Sequence, residues 1–368
     1  PGHPPGRAGG RASQREGAPM YAGSTKPAAT GLKGFLRSHE AILLLGVLLE
    51  LILFSAAGRN FLTPDNLTNL VRHSAEIGLI ALVMLPVILT AGIDLSVGSL
   101  LGLCAIVFGK LWRDAGWPWP VAAAATLAAG ASGGGINALL VTRFRLPPLI
   151  VTLGTFSLFR GLAEALTRGT DAFTNFPESF LGLGQGNLAG LPVQAWILGW
   201  VAAVAGLLVH RGTWGRSWRA IGFAPEGARY AGLPVAGRTA AAYVAAGLVV
   251  AVAALTYTAR LGTAKADAGL GYELAAITAV VLGGASIFGG VGSVHGTLLG
   301  VAAMAILTNG LSRVPATMSL ARELSGLFTG VILILALAAS TLSQGKSFTT
   351  GSPAPARPRD SRPPPADS

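Results

Sequence analysis

The stretch Gly92-Ile93-Asp94-Leu95-Ser96-Val97-Gly98-Ser99 places one acidic and two hydroxyl side chains between two long apolar runs. Glycine weakens a helix, so the runs before and after this stretch are predicted to be separate helices. Each run approaches the roughly 20 apolar residues that cross a bilayer. An ionised carboxylate facing lipid costs roughly 2.5 to 3.5 kcal/mol, so Asp94 must face protein, water or the membrane boundary.

The composition predicts a membrane protein throughout. Of the 368 residues, 51% are hydrophobic and only 12% are charged, whereas soluble domains average about 25% charged residues. The net charge is +11, but the basic residues form no stripe with interleaved aromatics, which argues against a nucleic-acid partner. Cys104 is the single cysteine, which excludes an intramolecular disulfide and a Cys-rich metal site. Lipid is therefore the expected surrounding.

The apolar runs predict an all-α integral membrane fold with about ten transmembrane helices and glycine-broken segments. The predicted spans are residues 41–57, 75–92, 95–112, 118–142, 147–167, 194–210, 239–259, 273–289, 294–312 and 324–342. The small-residue run 130–135 predicts close helix packing. An even number of spans with a cytoplasmic N-terminus puts both termini in the cytoplasm, together with most Lys and Arg residues.

The two ends of the chain differ from its middle. Residues 1–32 and 343–368 are rich in Pro, Gly, Ser and Arg without apolar periodicity, and both are predicted to be disordered tails. The domain between them covers residues 33–342. Its first apolar run starts too late and is too long for a cleaved signal peptide, so it is predicted to be the first retained span.

Carboxylates inside apolar runs are candidate functional groups. Asp94 is interpreted either as a gate residue or as the N-cap of the third span, and the two roles are compatible. Glu50 lies mid-span; it either pairs inside the bundle or marks a helix partly outside lipid. A spacing Val-Gly-Ser-x-x-Gly occurs at residues 97–102 and 291–296, each time where an apolar helix is interrupted. This echo reflects either an internal repeat or chance.

Soluble-enzyme signatures do not occur. The five histidines are scattered along the sequence, and there is no His-Glu-x-x-His motif and no complete phosphate loop. The chain is therefore predicted to have no catalytic residues, no metal site and no cofactor of its own. Residues 211–238 form the longest charged loop between spans, with Pro225–Gly232 compatible with a short helix ended by glycine. This loop favours docking of another protein over a solvated connector.

Four motifs occur in order along the chain, namely Ala91–Ser99, Pro148–Thr155 with Arg160–Ala163, Gly271–Gly284 and Asn309–Leu311. Together they resemble the permease subunits of ATP-binding-cassette (ABC) importers for simple sugars, the ribose, xylose and autoinducer-2 group, and the likeness covers roughly residues 35–340. The resemblance implies a permease that carries a simple sugar across the inner (plasma) membrane, powered by separate ATPase subunits that bind the ATP. It also implies a second permease subunit, identical or paralogous, and an extracytoplasmic sugar-binding protein.

The resemblance also places candidate site residues. The translocation path or gate is predicted at polar residues of the motifs: Asp94, Ser96, Ser99, Thr152, Thr155 and Asn309. Residues 220–232, within a coupling segment of about 213–237, are similar to the family's ATPase-docking element. Its contact residues are predicted to be Pro225, Glu226, Ala228, Arg229 and Gly232. Phe223-Ala224 and Gly227 depart from the family's pattern there.

Two other functions fit the residues. A branched-chain amino acid ABC permease is similar in plan, although the Ile-Asp-Leu-Ser run favours sugar. A proton-coupled secondary transporter would use Asp94 or Glu50 as a relay and would need no ATPase.

Overall fold

The computed structural model describes Gly2 and residues 39–168, 172–315 and 317–348. Of the predicted disordered tails, residues 1–32 lie outside the described residues apart from Gly2, and so do residues 349–368 of the C-terminal tail. The prediction is wrong for residues 343–348, which continue the last helix. The helices are α1 (His39–Ala57), α2 (Pro64–Leu89), α3 (Val97–Arg113), α4 (Trp119–Thr142), α5 (Pro148–Leu166), α6 (Glu178–Gln185), α7 (Val193–Gly206), α8 (Thr213–Phe223), α9 (Pro225–Tyr230), α10 (Val235–Leu261), α11 (Tyr272–Leu282), α12 (Val294–Arg313) and α13 (Ala321–Phe348). A short hairpin pairs β1 (Asn187–Leu188) with β2 (Leu191–Pro192).

The predicted all-α membrane fold is confirmed, and each of the ten predicted spans corresponds to a helix. Among the described residues, seven helices are long and apolar enough to cross a bilayer: α1, α2, α4, α5, α7 with its π-helical extension Leu207–Arg211, α10 and α12. Two helices at predicted spans are shorter, since α3 has 17 residues and α11 has 11. The last helix, α13, continues beyond the predicted domain end at residue 342.

The predicted eighth span, residues 273–289, is wrong at its C-terminal end. Helix α11 ends at Leu282, and a loop of residues 283–293 follows. Gly284, Gly289 and Gly290 have φ values of +90°, +90° and +79°, a conformation that only glycine adopts without strain. The loop is apolar enough to read as helix, but its backbone is not helical.

The two Val-Gly-Ser segments lie at the starts of helices, so the prediction that they interrupt helices is wrong. Helix α3 begins at Val97 and α12 at Val294. Ser293 is a true N-cap, because its Oγ accepts a hydrogen bond of 2.9 Å from the backbone N–H of Gly296. Ser96, the N-cap of α3, makes no such bond.

Helix α10 lies at the centre of the bundle and packs most closely against α4. A Cβ on Gly247 would lie 2.7 Å from the backbone nitrogen of Gly134, and one on Gly130 would lie 2.5 Å from the carbonyl oxygen of Gly247. Such distances leave no room for side chains. The predicted close packing around residues 130–135 is therefore found at this crossing. Lipid provides no hydrophobic drive for helix association, so the close van der Waals packing of the two backbones stabilises the contact instead.

Candidate functional site

The break between α2 and α3 starts where α2 ends in a motif that usually has glycine in the left-handed position, but alanine occupies that position here. Ala91 has φ +60°. The N–H of Ala91 donates to the carbonyl of Ile88 at 2.9 Å, and the N–H of Gly92 donates to that of Val87 at 3.0 Å. This pair of bonds is the Schellman motif, in which the left-handed residue is usually glycine. The chain is thereby turned sharply at the end of α2.

Asp94 forms hydrogen bonds within the break between α2 and α3. Its Oδ1 accepts hydrogen bonds from the backbone N–H of Ser96 at 2.9 Å and from the Ser96 hydroxyl at 2.6 Å. The side chain of Asp94 is only 2% exposed. Ser96, not Asp94, is the N-cap residue of α3, so the predicted N-cap role is replaced by a turn that fixes the residue at that position.

Two further helices hold the same network. Asn137 of α4 donates through Nδ2 to the Ser96 hydroxyl at 2.8 Å and to Asp94 Oδ2 at 3.4 Å. Thr155 of α5 donates to Asn137 Oδ1 at 2.7 Å. Thr152, one turn earlier, donates to the carbonyl of Ile93 at 3.1 Å. All of these side chains are buried, and buried hydrogen-bonded networks fix a single arrangement.

The structure brings together most of the predicted path residues but not all. Asp94, Ser96, Thr152 and Thr155 meet at the break, and Ser99 lies one turn into α3 with its hydroxyl bonded to the Ser96 carbonyl at 2.9 Å. Asn309 lies elsewhere. Its side chain exchanges hydrogen bonds of 2.8 and 3.1 Å with Asn66 of α2.

Asn137 and Tyr243 belong to this site and were missed from the sequence. Asn137 is a polar residue next to the glycine run of α4, a signal that could have found it. The hydroxyl of Tyr243 is buried and has no hydrogen-bond partner among the residues that the structure describes, and a Cβ on Gly92 would lie 2.6 Å from it. Nothing in the sequence around Tyr243 relates it to residue 92, because α10 follows the break by more than 100 positions.

The arrangement can hold a turn, but in this conformation it does not present a side chain to a ligand. Within the described residues, no group of three His, Cys, Asp or Glu side chains is placed to hold a metal ion. The histidines predicted to be scattered include one neighbouring pair, His210 and His295, with ring centroids 5.0 Å apart.

A second candidate site is the predicted coupling segment, which folds into α8 and α9. The predicted short helix is confirmed as α9, and Gly232 follows it with φ +79°. Of its predicted contact residues, Glu226 and Arg229 form a loose exposed ion pair at 3.8 Å. Ala228 is only 5% exposed and faces the protein. The outer surface is instead dominated by Phe223 and Tyr230, which are 87% and 88% exposed.

The end of α8 touches the start of the break through backbone atoms. A Cβ on Gly222 would overlap the carbonyl oxygen of Leu89 and lie 2.5 Å from the nitrogen of Gly290. The N–H of Gly290 donates to that same Leu89 carbonyl at 3.0 Å. We call this contact of α8, the end of α2 and the 283–293 loop the glycine junction.

The side chain of Arg219 stabilises the glycine junction with further hydrogen bonds. Its guanidinium donates to the carbonyl of Val209 at 2.9 Å and to that of Gly292 at 3.3 Å. The coupling segment is therefore joined by hydrogen bonds or backbone contact to α7, to the loop before α12 and to the end of α2.

The charged residues of the apolar runs are placed differently from expectation. Glu76, which is fully buried, forms a two-bond ion pair with Arg260 at 2.8 and 3.0 Å and so joins α2 to α10. Glu50 does not make the predicted pairing, since its Oε2 is buried without a hydrogen-bond partner among the described residues.

Comparisons with known proteins agree with one another. The family model described as "Branched-chain amino acid transport system / permease component" matches residues 66–337. The autoinducer 2 import system permease protein LsrD of Klebsiella pneumoniae is 36% identical over 309 residues, covering 83% of this chain and 92% of the relative. The proteins of the same name from Enterobacter sp. and Yersinia pseudotuberculosis are 35% and 36% identical, over 83% and 81% of this chain and 93% and 89% of theirs. No solved structure matches the chain.

Proposed function

Because this chain belongs to the family of branched-chain amino acid transport system permease components, we propose that it imports autoinducer 2 or a chemically similar sugar-like molecule. It is a multi-pass membrane protein and the permease subunit of an ABC importer, and its relatives are transport subunits rather than enzymes. Such a permease works with ATPase subunits and a binding protein.

One observation carries the choice of substrate. The similarity to the autoinducer 2 permeases extends over 92% of the Klebsiella protein, so it includes the helices that cross the membrane as well as the segment between α7 and α10. The family description mentions branched-chain amino acids, which makes an amino acid the competing substrate class.

The coupling segment, residues 213–237, supports docking of an ATPase. Phe223 and Tyr230 are aromatic, almost fully exposed and close together in sequence at α8 and α9. Exposed aromatic side chains are the usual anchors of protein interfaces. Glu226 and Arg229 lie between them in the sequence and supply exposed charges suited to an interface rim. Pro225 starts α9, and Gly232 ends its last turn, so these two shape the segment rather than contact the partner.

The Asp94 network supports a role in positioning the break. Asp94, Ser96, Ser99, Thr152 and Thr155 hold the turn that leads into α3, and the break lies against α8 at the glycine junction. We propose that ATP-driven movement of α8 reaches the break there, so that one arrangement of the bundle is favoured over the other. Asn309 belongs to a separate contact with Asn66 and has no part in this step.

The distribution of basic residues supports a proposal for the orientation in the membrane. We propose that the permease domain, residues 33–342, lies in the inner (plasma) membrane with both termini and α8–α9 in the cytoplasm, where Lys and Arg residues accumulate. A second permease subunit, identical or paralogous, completes the path.

A proton-coupled transporter is less well supported. A relay carboxylate must be reached by water, whereas Asp94 is 2% exposed and its oxygens are occupied by Ser96 and Asn137.

The test is reconstitution of the complex. The chain is co-expressed with the ATPase encoded beside it and placed in vesicles with the binding protein. We expect ATP hydrolysis to rise when binding protein and autoinducer 2 are both added, and uptake to need ATP and to survive a protonophore. If leucine stimulated hydrolysis instead of autoinducer 2, the substrate would be an amino acid. Uptake that needs no ATP and is abolished by a protonophore would overturn the proposal.

A further inference from the structure

Residues 262–271 connect α10 to α11 without helical backbone, and they lie beside helix α3. Ala264 pairs with Phe173 through backbone hydrogen bonds of 2.9 and 3.0 Å, and Phe173 packs on Gly109. A Cβ on Gly102 would lie 2.8 Å from the carbonyl oxygen of Ala266, and one on Gly98 would lie 2.5 Å from that of Gly269. The connection therefore contacts α3 directly from Gly102 to Gly98, and at Ala264 it is joined through Phe173 to the level of Gly109.

This path places irregular backbone at membrane depth. Helix α11 begins only at Tyr272 and has 11 residues, so the connection and α11 share one crossing. Irregular backbone is tolerated at this depth only where protein covers it or where it lines a water-filled cavity. We call residues 262–271 the re-entrant segment.

The covering protein reaches only one side of the re-entrant segment. Its other side carries exposed residues, namely Lys265, Asp267, Leu270 and Gly271. No ion pair to another described residue involves Lys265 or Asp267 within 4.0 Å. Charged side chains facing lipid are costly, so this side is unsuited to contact with lipid.

Buried polar atoms that have no hydrogen-bond partner in the described part of the chain surround the same segment. They are Oγ1 of Thr263, Nε of Arg160 and Oε2 of Glu273. The side chain of Glu273 is 8% exposed, and its orphaned oxygen lies against Gly98. Buried polar atoms almost always have a partner, and one that lacks a protein partner is usually bound by water.

Helix α5 extends this surface. Arg160 donates to the carbonyl oxygens of Ala266 and Ala268, which joins α5 to the re-entrant segment. Next to Arg160, α5 exposes small or polar residues at spacings of three and four, which lie on one helix face. They are Gly154, Ser157, Gly161 and Glu164. A lipid-facing helix would carry apolar side chains there.

We propose that the re-entrant segment, with this face of α5, forms the wall of the aqueous path through which the imported molecule passes. Its charged, hydroxyl and peptide groups suit a small polyhydroxylated molecule, which needs hydrogen-bond partners to replace water. The inference rests on the proposed function for the identity of that molecule, but not for the presence of water.

Cysteine labelling of the assembled complex tests the wall. Cys104 is fully buried, so the parent chain supplies the background. Leu270→Cys introduces a thiol on the exposed side of the re-entrant segment, and Leu49→Cys on the exposed side of α1 is the matched control. Both leucines are more than half exposed, at 68% and 55%. Their depths are comparable, because His39 bonds the carbonyl of Leu282 at 2.8 Å and both leucines lie a similar number of residues from that level.

We expect a charged, water-soluble thiol reagent to modify Leu270→Cys at least about tenfold faster than Leu49→Cys, since a thiolate forms only in water. Binding protein loaded with autoinducer 2, together with ATP, should slow the modification. Equal, slow rates at both positions would show that lipid or protein covers the segment and would overturn the proposal. Fast labelling that no cargo slows would overturn the path and leave only a water pocket. Failure of the proposed substrate alone leaves the difference between the two thiols intact and appears separately in the uptake assay.

Discussion

Asp94 shows how a charge inside an apolar sequence is made tolerable. Its two oxygens accept from the Ser96 backbone, the Ser96 hydroxyl and the Asn137 amide, so the carboxylate is removed from lipid and from water together. These hydrogen bonds offset the cost of burying the carboxylate. They also satisfy buried donors that would otherwise have no acceptor. In this conformation Asp94 stabilises the turn, and its oxygens are not available to a ligand.

Replacing Asp94 separates these roles. Asp94→Ala leaves the Ser96 N–H without its acceptor, and we expect a loss of about 1 to 3 kcal/mol in the free energy of unfolding. Asp94→Asn keeps Oδ1 and should cost less while retaining uptake. The measurements are thermal unfolding of the purified complex and uptake in vesicles.

The control for this pair is Asp114→Asn, because Asp114 is an exposed carboxylate bonded to Lys110 and Arg113 at the end of α3. It should change stability little. A stable Asp94→Asn complex that no longer transports would instead assign the carboxylate charge to gating.

Ala91 offers a substitution expected to stabilise the protein. It has φ +60° at the left-handed position of a Schellman motif, where an alanine Cβ costs about 1 kcal/mol and glycine does not. Ala91→Gly should raise the unfolding midpoint. Ala124→Gly, at an exposed position inside α4, should lower it by a similar amount. A lower midpoint for Ala91→Gly would show that its methyl group contributes more by packing than it costs in backbone strain.

At the scale of elements, α8 is the member that connects the outside of the bundle to its interior. Its exposed end carries Phe223, while Gly222, the preceding residue, is pressed against the carbonyl of Leu89. Arg219, also on α8, donates to the carbonyl of Val209 in the extension of α7 and to that of Gly292 in the 283–293 loop. Movement of α8 cannot leave the end of α2 or the 283–293 loop in place, because the contacts are backbone to backbone and have no flexible side chain between them.

Gly222→Ala tests this connection. The added methyl group must displace backbone at the glycine junction, and overpacking of this kind typically costs about 1 to 3 kcal/mol. We expect the complex to assemble and hydrolyse ATP but to take up less substrate per ATP. The measurement is the ratio of uptake to hydrolysis in vesicles.

Gly227→Ala is the matched control, since a Cβ there meets only the Ala224 methyl group at 3.5 Å. Both substitutions bring the same gain in helix propensity, so the difference between them isolates the junction. An unchanged ratio for Gly222→Ala would mean that α8 does not transmit movement through this contact.

At the scale of the whole molecule, the helices distribute their connections between two ends of the bundle. The break, the 283–293 loop and α8 meet at one end. Helix α6 lies at the other, where Gln185 bonds the carbonyls of Ala259 and Arg260 at the end of α10. The buried pair Glu76–Arg260 joins α2 to α10 near that second end.

This arrangement predicts which surfaces face the cytoplasm. Tyr230→Cys in α9 and Leu188→Cys in β1 both create exposed thiols, since the native side chains are 88% and 59% exposed. In intact cells, an impermeant thiol reagent should modify Leu188→Cys and leave Tyr230→Cys untouched until the membrane is opened. The reverse pattern would invert the proposed orientation, and modification of both in intact cells would contradict the assignment of the two ends to opposite sides.

The sequence by itself determined the fold class and the family, and it located ten of the helices. Runs of apolar residues are a local property, and so is the order of short motifs such as Ala91–Ser99, so both are visible without coordinates. The helix α9 was also predictable, because Pro225 and Gly232 mark its ends by local backbone preference.

Only the tertiary structure decided which polar groups meet. Asn137 and Tyr243 reach the break from two other helices, and no local pattern relates them to Asp94. Thr155 was among the predicted path residues, but its bond to Asn137 became visible only in the structure. The end of α11 at Leu282 and the re-entrant segment could not be predicted from the sequence either. A helix and irregular backbone covered by protein can have the same apolar composition. Hydropathy reports the surroundings of a residue averaged over a window, whereas hydrogen-bond partners and depth depend on how distant segments pack.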